Sequence, residues 1–599
     1  MEVSSSTSHQ KKRNFEETRI PGFRVDQRPP WYINIPLALQ HVFILSSVLV
    51  MVHSLLFKGL QQQRKDVNQY EDQFMATSLF TSGIATLMQT TLGSRLPLMQ
   101  APSLEFLIPA LVLLTSNEPR HDYNGTNETW TGDEYDEKIH CMDWSRELQG
   151  AVFVSGIVRL LLGLSGFYGV ISRYFSPMVV APTLSIIGLS IYKEAALFCS
   201  ASWGITAVVV LLIVLLSQHM HNLFIPSCRN ATSQCITQYP VFRMFSVLLP
   251  LVCVCIVSGL LGVTRIISLE NIVDASLLQH RNSSFHPPWL WVPYPGHNGL
   301  PLLTGRSLLT GIAAALSAGI SSQSCYLMTA RLAKTLPPPP STYNRGLCIE
   351  GLGSTIAGML GSISGTATSV ANSCSHGLTE CCSRDVVQVS AIMCLLLGIS
   401  PRLTHLLTYI PFSVHGGILS ITHAVAVATG ITYFQYTDMD SGRNIFNIGF
   451  SLFMALLAPR WFSSHKNFIS TGATSADIFF LSLLTMPVFL GGVVSFFLDN
   501  TVSGSPQERG LHSLLLEDRA RECTEQESAV YDLPPVVSKL LLNRRLRVFP
   551  FCAFSTMSAA QVDQEVAISP EERTDLLLNV HSENMDTSRC DAAPSTSDC

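Results

Sequence analysis

The sequence has few charged residues, and this scarcity excludes an ordinary soluble protein. Only 14% of its 599 residues are Asp, Glu, Lys or Arg, whereas soluble proteins carry about 25%. A large share of these residues lies in the first thirty and the last hundred positions. The long middle part must therefore be solvated largely by something other than water, and lipid is the obvious candidate.

Motifs that indicate an enzyme or an ATP-driven pump are also missing. There is no Walker A loop, no HExxH sequence and no zinc-type spacing of Cys and His, so the chain is predicted to be non-enzymatic, with no cofactor. Arg and Lys do not form the periodic array of a voltage sensor. The first thirty residues lack the apolar stretch of a signal peptide, so the first span, starting near Trp31, is expected to act as its own insertion signal.

The middle part does contain a series of apolar stretches. A spanning helix needs about 20 mainly apolar residues. Ten stretches fit this requirement well: 35–57, 150–168, 176–192, 203–218, 242–264, 302–326, 385–400, 408–430, 443–458 and 476–498. Four stretches are more polar, at spans 2, 3, 9 and 10: 75–92, 101–115, 347–361 and 366–379. The sequence predicts an all-α polytopic membrane protein with fourteen transmembrane segments, a count that the four polar stretches could change by about two.

Glycosylation sequons give a predicted orientation. Asn124 and Asn127 precede the fourth span and Asn282 precedes the eighth. Four spans separate these two loops, and an even number places both loops on the same side of the membrane. Because sequons that are used face the exterior, we predict all three as glycosylation sites on the outside. The basic N-terminus is then cytoplasmic, as is Asn230, which we expect to be unmodified. The tail 500–599 is polar and is expected to be cytoplasmic and mostly disordered. We predict a multi-pass protein of the plasma membrane.

Fourteen spans divide into two halves of seven. An odd number of spans in each half gives the two halves opposite orientations in the membrane, as in an inverted repeat. The third span of each half is interrupted, by Pro97 and Pro102 in the first half and by a Gly/Ser/Thr-rich run at 361–372 in the second. Two extended stretches that each lead into a half-helix would offer free N–H groups and a dipole end to a polar solute. The alternative is that these stretches are polar loops. The symmetry favours the broken helices, and with them a secondary transporter over a channel.

Among the ionisable residues within the predicted spans, we single out His41, Glu105, Glu350, His415 and His423. Such groups are functional candidates because burying them in lipid is costly. For a single histidine, a hydrogen-bonded packing role is the simpler interpretation. Glu105 stands beside the break in the third span with no Lys or Arg near it in that span, so we interpret it as functional.

Six motifs are specific enough to indicate a family: ALQH at 38–41, GSRLPLMQ at 93–100, ARLAKTLPPPP at 330–340, NRGLCIEGLG at 344–353, AGMLG at 357–361 and DMDSGRNIF at 438–446. Through them the chain resembles the nucleobase–ascorbate transporters, solute carrier family 23 in vertebrates, over roughly residues 30–500. The run at 100–110 looks most like the least typical vertebrate branch of that family.

The resemblance implies two inverted repeats that build a core domain and a gate domain. The core would comprise 31–175 and 301–403, with spans 1–4 and 8–11. The gate would comprise 176–300 and 404–499, between tails at 1–30 and 500–599. Family members are usually homodimers that move the core against the gate like an elevator. Their substrates are purines, pyrimidines or ascorbate, and transport is driven by Na⁺ or H⁺.

The resemblance also assigns a substrate site, from which this chain departs. Its predicted substrate-binding residues are Gln40, His41, Ser103, Leu104, Glu105, Phe106, Ser321, Cys325, Ala371 and Asn372. Ser321 and Cys325 stand where the family has carboxylates, and of the span 10 signature only Asn372 and Thr379 remain. Our hypothesis is that Glu105 replaces the missing carboxylates. Ser321 and Ser322 are weak candidates as Na⁺ ligands.

These observations lead to a first prediction of sodium-dependent uptake of a purine such as hypoxanthine or xanthine. The expected partners are a small-molecule substrate, Na⁺, membrane lipid and a second copy of the chain, with no nucleic-acid polymer. The Glu105 carboxylate would oppose binding of the ascorbate anion, so we prefer a neutral purine. Ascorbate is the first alternative. A non-transporting relative that acts as a scaffold or sensor is the second.

Overall fold

The structure is a computed structural model that describes residues 17–19, 22–61, 71–116, 134–226, 236–263, 288–511 and 528–534. All of them belong to one compact unit, residues 1–551. The four sequons, at Asn124, Asn127, Asn230 and Asn282, lie outside the described residues. Glycosylation and the orientation derived from it therefore stay predictions.

Helices make up most of the described chain. In the first half they are α1 (Trp31–Gln61), α2 (Glu71–Thr91), α3 (Leu104–Thr115), α4 (Glu134–Leu164), α5 (Phe167–Ser172), α6 (Pro177–Leu189), α7 (Tyr192–Ser200), α8 (Trp203–Val214), α9 (Val241–Met244) and α10 (Leu248–Val263). In the second half they are α11 (Gly305–Leu332), α12 (Pro340–Met359), α13 (Val370–Thr379), α14 (Arg384–Gly398), α15 (Pro401–Leu407), α16 (Phe412–Tyr433), α17 (Gly442–Ser464), α18 (Thr474–Leu484) and α19 (Pro487–Thr501).

Within the described residues, five short strands form two small sheets. Three of them, β1 (Glu17–Arg19), β3 (Ile225–Pro226) and β4 (Ile236–Tyr239), form a sheet in the order β1-β4-β3. The other two, β2 (Gln100–Pro102) and β5 (Thr366–Thr368), pair antiparallel. Each of this second pair leads directly into a short helix, α3 or α13. The predicted extended stretches in spans 3 and 10 are therefore confirmed.

The described helices show fewer clear membrane spans than the sequence predicted. Six are long and apolar enough to cross a membrane, or eight if the bent pairs α14–α15 and α18–α19 each count as one span. Each pair bends where Pro401 or Pro487 begins the second helix, as expected of a residue that lacks the backbone donor. The polytopic membrane fold is confirmed, whereas fourteen spans stay a prediction.

The polar spans owe their composition to burial inside the protein. In α2, Ser78, Thr86 and Gln89 are buried, and Ser78 hydrogen-bonds His53 of α1 at 3.1 Å and Ser362 at 3.0 Å. Side chains that protein surrounds do not need to be compatible with lipid. A test of hydropathy alone therefore misses such a helix.

Two groups of helices can be distinguished by their packing. In the first group, α4 packs along α12 and α2 along α14, with α1, α3, α11 and α13 around them. In the second, α16 packs on α6, α7 and α8, and α17 packs on α19. The division of the chain into a core domain and a gate domain stays a prediction.

Pieces of both predicted tails pack against the same end of the first group. Cys382 and Arg384 donate backbone N–H groups to the carbonyls of Phe23 and Val25, at 2.8 and 2.9 Å. The Arg384 guanidinium also donates to the carbonyl of Val530 at 3.0 Å, in the helical turn Ser528–Tyr531. This common position agrees with an even number of membrane crossings. The cytoplasmic location of both ends stays a prediction.

Candidate functional site

The site is built around the crossing of β2 and β5. Gln100 pairs with Thr368 and Pro102 with Thr366, and the Ser369 N–H extends the ladder to the Met99 carbonyl at 2.8 Å. Because the strands run antiparallel, the two half-helices that follow them leave the crossing in different directions. Both helix N-termini therefore lie near the crossing, where their first N–H groups lack intrahelical partners.

At the N-terminus of α3, two polar groups form no hydrogen bond with any described residue. The hydroxyl oxygen of Ser103 is buried and forms no hydrogen bond. Glu105, in the first turn of α3, is only 7% exposed, and among the described residues its carboxylate forms no hydrogen bond or ion pair. Buried polar groups in proteins are normally paired. An unpaired hydroxyl and an unpaired carboxylate at one helix end are therefore suited to a polar ligand.

At the N-terminus of α13, by contrast, the side chains of Ser369 and Asn372 have partners within the protein. The hydroxyl of Ser369 accepts from the Asn372 N–H at 3.4 Å and donates to the Asn372 side-chain oxygen at 2.8 Å. The Asn372 amide donates to the backbone carbonyl of His41 at 2.8 Å, and Ala371 is fully buried beside it. The role of Asn372 visible here is to fasten α13 to α1.

The residues of α1 that the sequence singled out are both engaged. The side-chain amide of Gln40 donates to the Met244 carbonyl at 3.3 Å and accepts from the Leu248 N–H at 2.9 Å. The His41 ring lies 5.2 Å from the ring of His376. Gln40 therefore joins α1 to the end of α9 and the start of α10, and His41 lies against α13.

Helix α11 brings two predicted residues close to Glu105. Ser321 hydrogen-bonds Cys325, and Cys325 lies near enough to Glu105 for an electrostatic interaction. Both α11 side chains are buried. Ser321, Cys325 and Glu105 therefore lie in one neighbourhood, and their assignment to a substrate site stays a prediction. In that neighbourhood the carboxylate comes from α3 and α11 contributes small polar groups.

Leu104 and Phe106 flank Glu105 in the first turn of α3. Leu104 is partly buried, and the Phe106 ring is buried against Gly365 of the second half. A Cβ atom built on Gly365 would lie 2.2 Å from the Phe106 ring, so only glycine fits there. On another side of the same ring lies the guanidinium of Arg159, at 5.3 Å.

Arg159 belongs to a buried polar network that reasoning from the sequence missed. Glu350 was recognised as an ionisable residue of span 9, but its partner on α4 was not. Arg159 and Glu350 form an ion pair at 3.4 Å with both side chains completely buried. The signal that could have revealed it is a single arginine within the otherwise apolar run 150–168.

Glycines explain how α4 and α12 approach closely enough for this ion pair. A Cβ atom built on Gly156 would lie 2.4 Å from the Thr355 backbone nitrogen, and one on Gly351 would lie 2.4 Å from the Leu160 nitrogen. Small residues permit such backbone contact between membrane helices. Arg159 and Glu350 flank these glycines, so the contact brings their side chains together.

His415 and His423, the remaining histidine candidates, both have hydrogen-bond partners in the protein. His415 approaches the Ser47 hydroxyl at 2.9 Å, and His423 approaches the Leu419 carbonyl within its own helix at 2.9 Å. Among the residues that the structure describes, no group of three or more His, Cys, Asp or Glu side chains could hold a metal ion. Ser322, a weak candidate as Na⁺ ligand, donates its hydroxyl to Glu350 at 2.6 Å.

Comparison with known proteins identifies the family. A profile described as the Permease family matches residues 33–464. Solute carrier family 23 member 3 of Mus musculus is 43% identical over 490 residues, which cover 80% of this chain and 78% of that protein. Solute carrier family 23 member 1 of Rattus norvegicus is 34% identical over 543 residues, 88% of each chain. Nucleobase-ascorbate transporter 2 of Arabidopsis thaliana is 27% identical over 81% of this chain and 90% of its own.

Solved structures give more distant matches. The transmembrane domain of the cyanobacterial bicarbonate transporter BicA has 12% identity and a TM-score of 0.35, covering 76% of this chain and 97% of that one. The murine solute carrier 26 family member A9 anion transporter in the inward-facing state has 14% identity and a TM-score of 0.42, covering 72% and 66%. The family assignment comes from the sequence matches: the profile spans well over half of the chain, and one relative reaches 43% identity. The chain therefore belongs to solute carrier family 23, a family of membrane transporters.

Proposed function

We propose that this chain transports a neutral heterocyclic solute across the membrane, and that purine nucleobases such as hypoxanthine and xanthine are its first candidates. The observation that carries the proposal is the Glu105 carboxylate, which is buried where β2 leads into α3 and forms no hydrogen bond or ion pair with any described residue. A purine has ring N–H groups that can donate to a carboxylate. Its ring nitrogens and carbonyl oxygen can accept from the free N–H groups at the start of α3.

Charge favours a neutral base over the ascorbate anion. Glu105 places a negative charge at the site, and the nearby guanidinium of Arg159 is already paired with Glu350. An anionic substrate would have to enter against that charge, whereas a neutral donor forms a charge-assisted hydrogen bond with it. Ascorbate is the alternative substrate, and a scaffold or sensor without transport is the alternative function.

The packing of the helices supports movement of the first group against the second. Cys325 and Glu105 belong to the first group, on α11 and α3, while α13 packs against α16 and α11 against α6 of the second group. A site near that boundary could pass from one side to the other if the first group slid along the second, as the family's elevator mechanism requires. A homodimer and a plasma-membrane location are part of the same proposal.

The test is uptake of labelled hypoxanthine, uracil and ascorbate by cells that express the full chain, in sodium medium and in choline medium. We expect hypoxanthine to be taken up and the Glu105→Gln variant to lose at least about tenfold in uptake at low substrate concentration. The reason is that hydrogen bonds to a charged group contribute about 1.5–3 kcal/mol. Surface delivery is measured in parallel by biotinylation.

The matched control is Glu194→Gln. Glu194 lies on α7, outside the site, and is also a partly buried carboxylate with an unpaired oxygen, so its variant should transport normally. Undiminished uptake by Glu105→Gln would remove Glu105 from substrate binding. If none of the three solutes enters although the protein reaches the surface, the transport proposal is wrong and the scaffold or sensor is favoured.

A further inference from the structure

Hydrogen bonds to Glu350 of α12 join β2, β5 and α11. Its carboxylate accepts hydrogen bonds from four side chains besides Arg159: Ser322 at 2.6 Å, Tyr326 at 2.7 Å, Thr368 at 2.5 Å and Gln100 at 3.2 Å. Gln100 belongs to β2 and Thr368 to β5, while Ser322 and Tyr326 belong to α11. A single carboxylate on α12 therefore holds both strands and α11 in register.

A carboxylate in this position needs a counter-charge. Glu350 is completely buried, and an isolated ion taken out of water loses several kcal/mol of solvation. The neutral donors around it stabilise the charge through hydrogen bonds but do not cancel it. Among the described residues, Arg159 is the cation that pairs with Glu350.

Two nitrogens of the Arg159 guanidinium face oxygen atoms, whereas its Nε is buried without a hydrogen-bond partner among the described residues. One of its nitrogens faces the Glu350 carboxylate, and another donates to the Thr366 carbonyl at 3.0 Å and to the Ser354 hydroxyl. Carboxylate, carbonyl and hydroxyl oxygens are also the ligands that hard metal cations prefer. The guanidinium thus fills an oxygen-lined position that could otherwise hold a small cation.

We infer that Arg159 is a built-in counter-cation, whose guanidinium fills the cation position beside Glu350 and lets the strand crossing assemble without a bound Na⁺. This inference rests on the proposed function, because it concerns the coupling of the same site. The family resemblance predicted sodium-dependent uptake. With the guanidinium in the cation position, we instead expect both the assembly of the strand crossing and substrate uptake to be independent of Na⁺. Arg159 is a positioning residue, since it acts on the site through Glu350, Thr366 and the Phe106 ring.

The inference predicts that removing the guanidinium creates a cation requirement. The Arg159→Ala variant keeps the oxygen ligands and leaves a space the size of the lost side chain. We expect the purified full-length variant to have a lowered Tm that rises again when guanidinium ions are added at concentrations too low to denature. Sodium should raise it more than choline at equal ionic strength, while the wild-type Tm should be the same in both salts.

Arg306→Ala is the matched control. Arg306 is on α11 and pairs with Glu147 on α4 at 2.8 Å, so its loss also breaks an arginine–glutamate pair between packed helices, but at a partly exposed position. Its Tm should not respond to guanidinium. If Arg159→Ala yields too little protein, the double variant Arg159→Met with Glu350→Gln, which removes both charges, should restore the yield.

The outcomes that would overturn the built-in counter-cation differ from those that would overturn the transport proposal. A wild-type Tm or a wild-type hypoxanthine uptake that requires Na⁺ would overturn the built-in cation, as would an Arg159→Ala Tm that responds to neither Na⁺ nor guanidinium. A double variant no better folded than Arg159→Ala would also count against it. The transport proposal itself fails only if wild-type protein at the cell surface takes up none of the three solutes, which the Tm measurements do not affect.

Discussion

Glu350→Gln should abolish delivery of folded protein to the membrane, or lower its Tm more than any other conservative substitution of a carboxylate in the described chain. The substitution removes the carboxylate that pairs with the guanidinium of Arg159, which stays completely buried. Breaking a buried ion pair from one side typically costs about 3–5 kcal/mol, and whole domains are stable by only about 5–15 kcal/mol. The glutamine also keeps only one oxygen for the donors that share the carboxylate.

The measurement is the fraction of monodisperse protein after extraction in detergent, followed by thermal unfolding of what remains. Glu147→Gln serves as the control because it breaks the partly exposed pair with Arg306, where solvent screens the charge left behind. We expect its effect to be about 1 kcal/mol, since exposed pairs contribute little. Equal effects of the two substitutions would show that the Glu350 network does not hold the strand crossing together.

Some features of this site could be predicted from the sequence, because their signals lie in single residues or short runs. The broken spans were predictable because Pro97, Pro102 and the Gly/Ser/Thr run at 361–372 exclude a regular helix. Glu105 could be singled out because a carboxylate within a membrane span is costly to bury and marks a functional position by default, and its role stays a prediction. Both signals are local, and the paired strands β2 and β5 confirm the first of them.

The partners of these residues were not predictable, because they are distant in sequence. Arg159 and Glu350 are 191 positions apart, and nothing in either segment specifies the other. Gln40 was assigned to substrate binding because it stands beside His41 in a family motif, and that role stays a prediction. In the structure its amide groups bond the backbone of Met244 and Leu248.

The span count was the least secure prediction for a physical reason. Helices such as α2 and α12 carry polar side chains that the protein itself surrounds, including Gln89 and Glu350. Hydropathy measures compatibility with lipid, so it underestimates a helix whose neighbours are other helices. The weak spans of the sequence therefore mark the interior of the first helix group, where the site lies.

Substitutions at the close contact of α4 with α12 should destabilise the protein as strongly as substitutions of Arg159 or Glu350, because this contact brings the two charges together. In Gly351→Ala, the new methyl carbon would lie 2.4 Å from the Leu160 nitrogen and 2.7 Å from the Gly156 carbonyl oxygen. Both obstacles are backbone atoms, which cannot move aside as a flexible side chain does. The helices must therefore separate. Overpacking of this kind costs about 1–3 kcal/mol, occasionally more, and here the separation also stretches the 3.4 Å contact of Arg159 with Glu350.

Gly449→Ala distinguishes this steric effect from a general effect of alanine. Gly449 lies within α17, and a Cβ atom built there would meet no atom within 4 Å. In that helix alanine should be neutral or slightly stabilising, because glycine is the poorer helix former by about 1 kcal/mol. We therefore expect a large fall in Tm and in hypoxanthine uptake for Gly351→Ala and none for Gly449→Ala. Normal stability of Gly351→Ala would mean that α4 and α12 can separate without loss, and the strand crossing would then have to be held by contacts other than the Arg159–Glu350 pair.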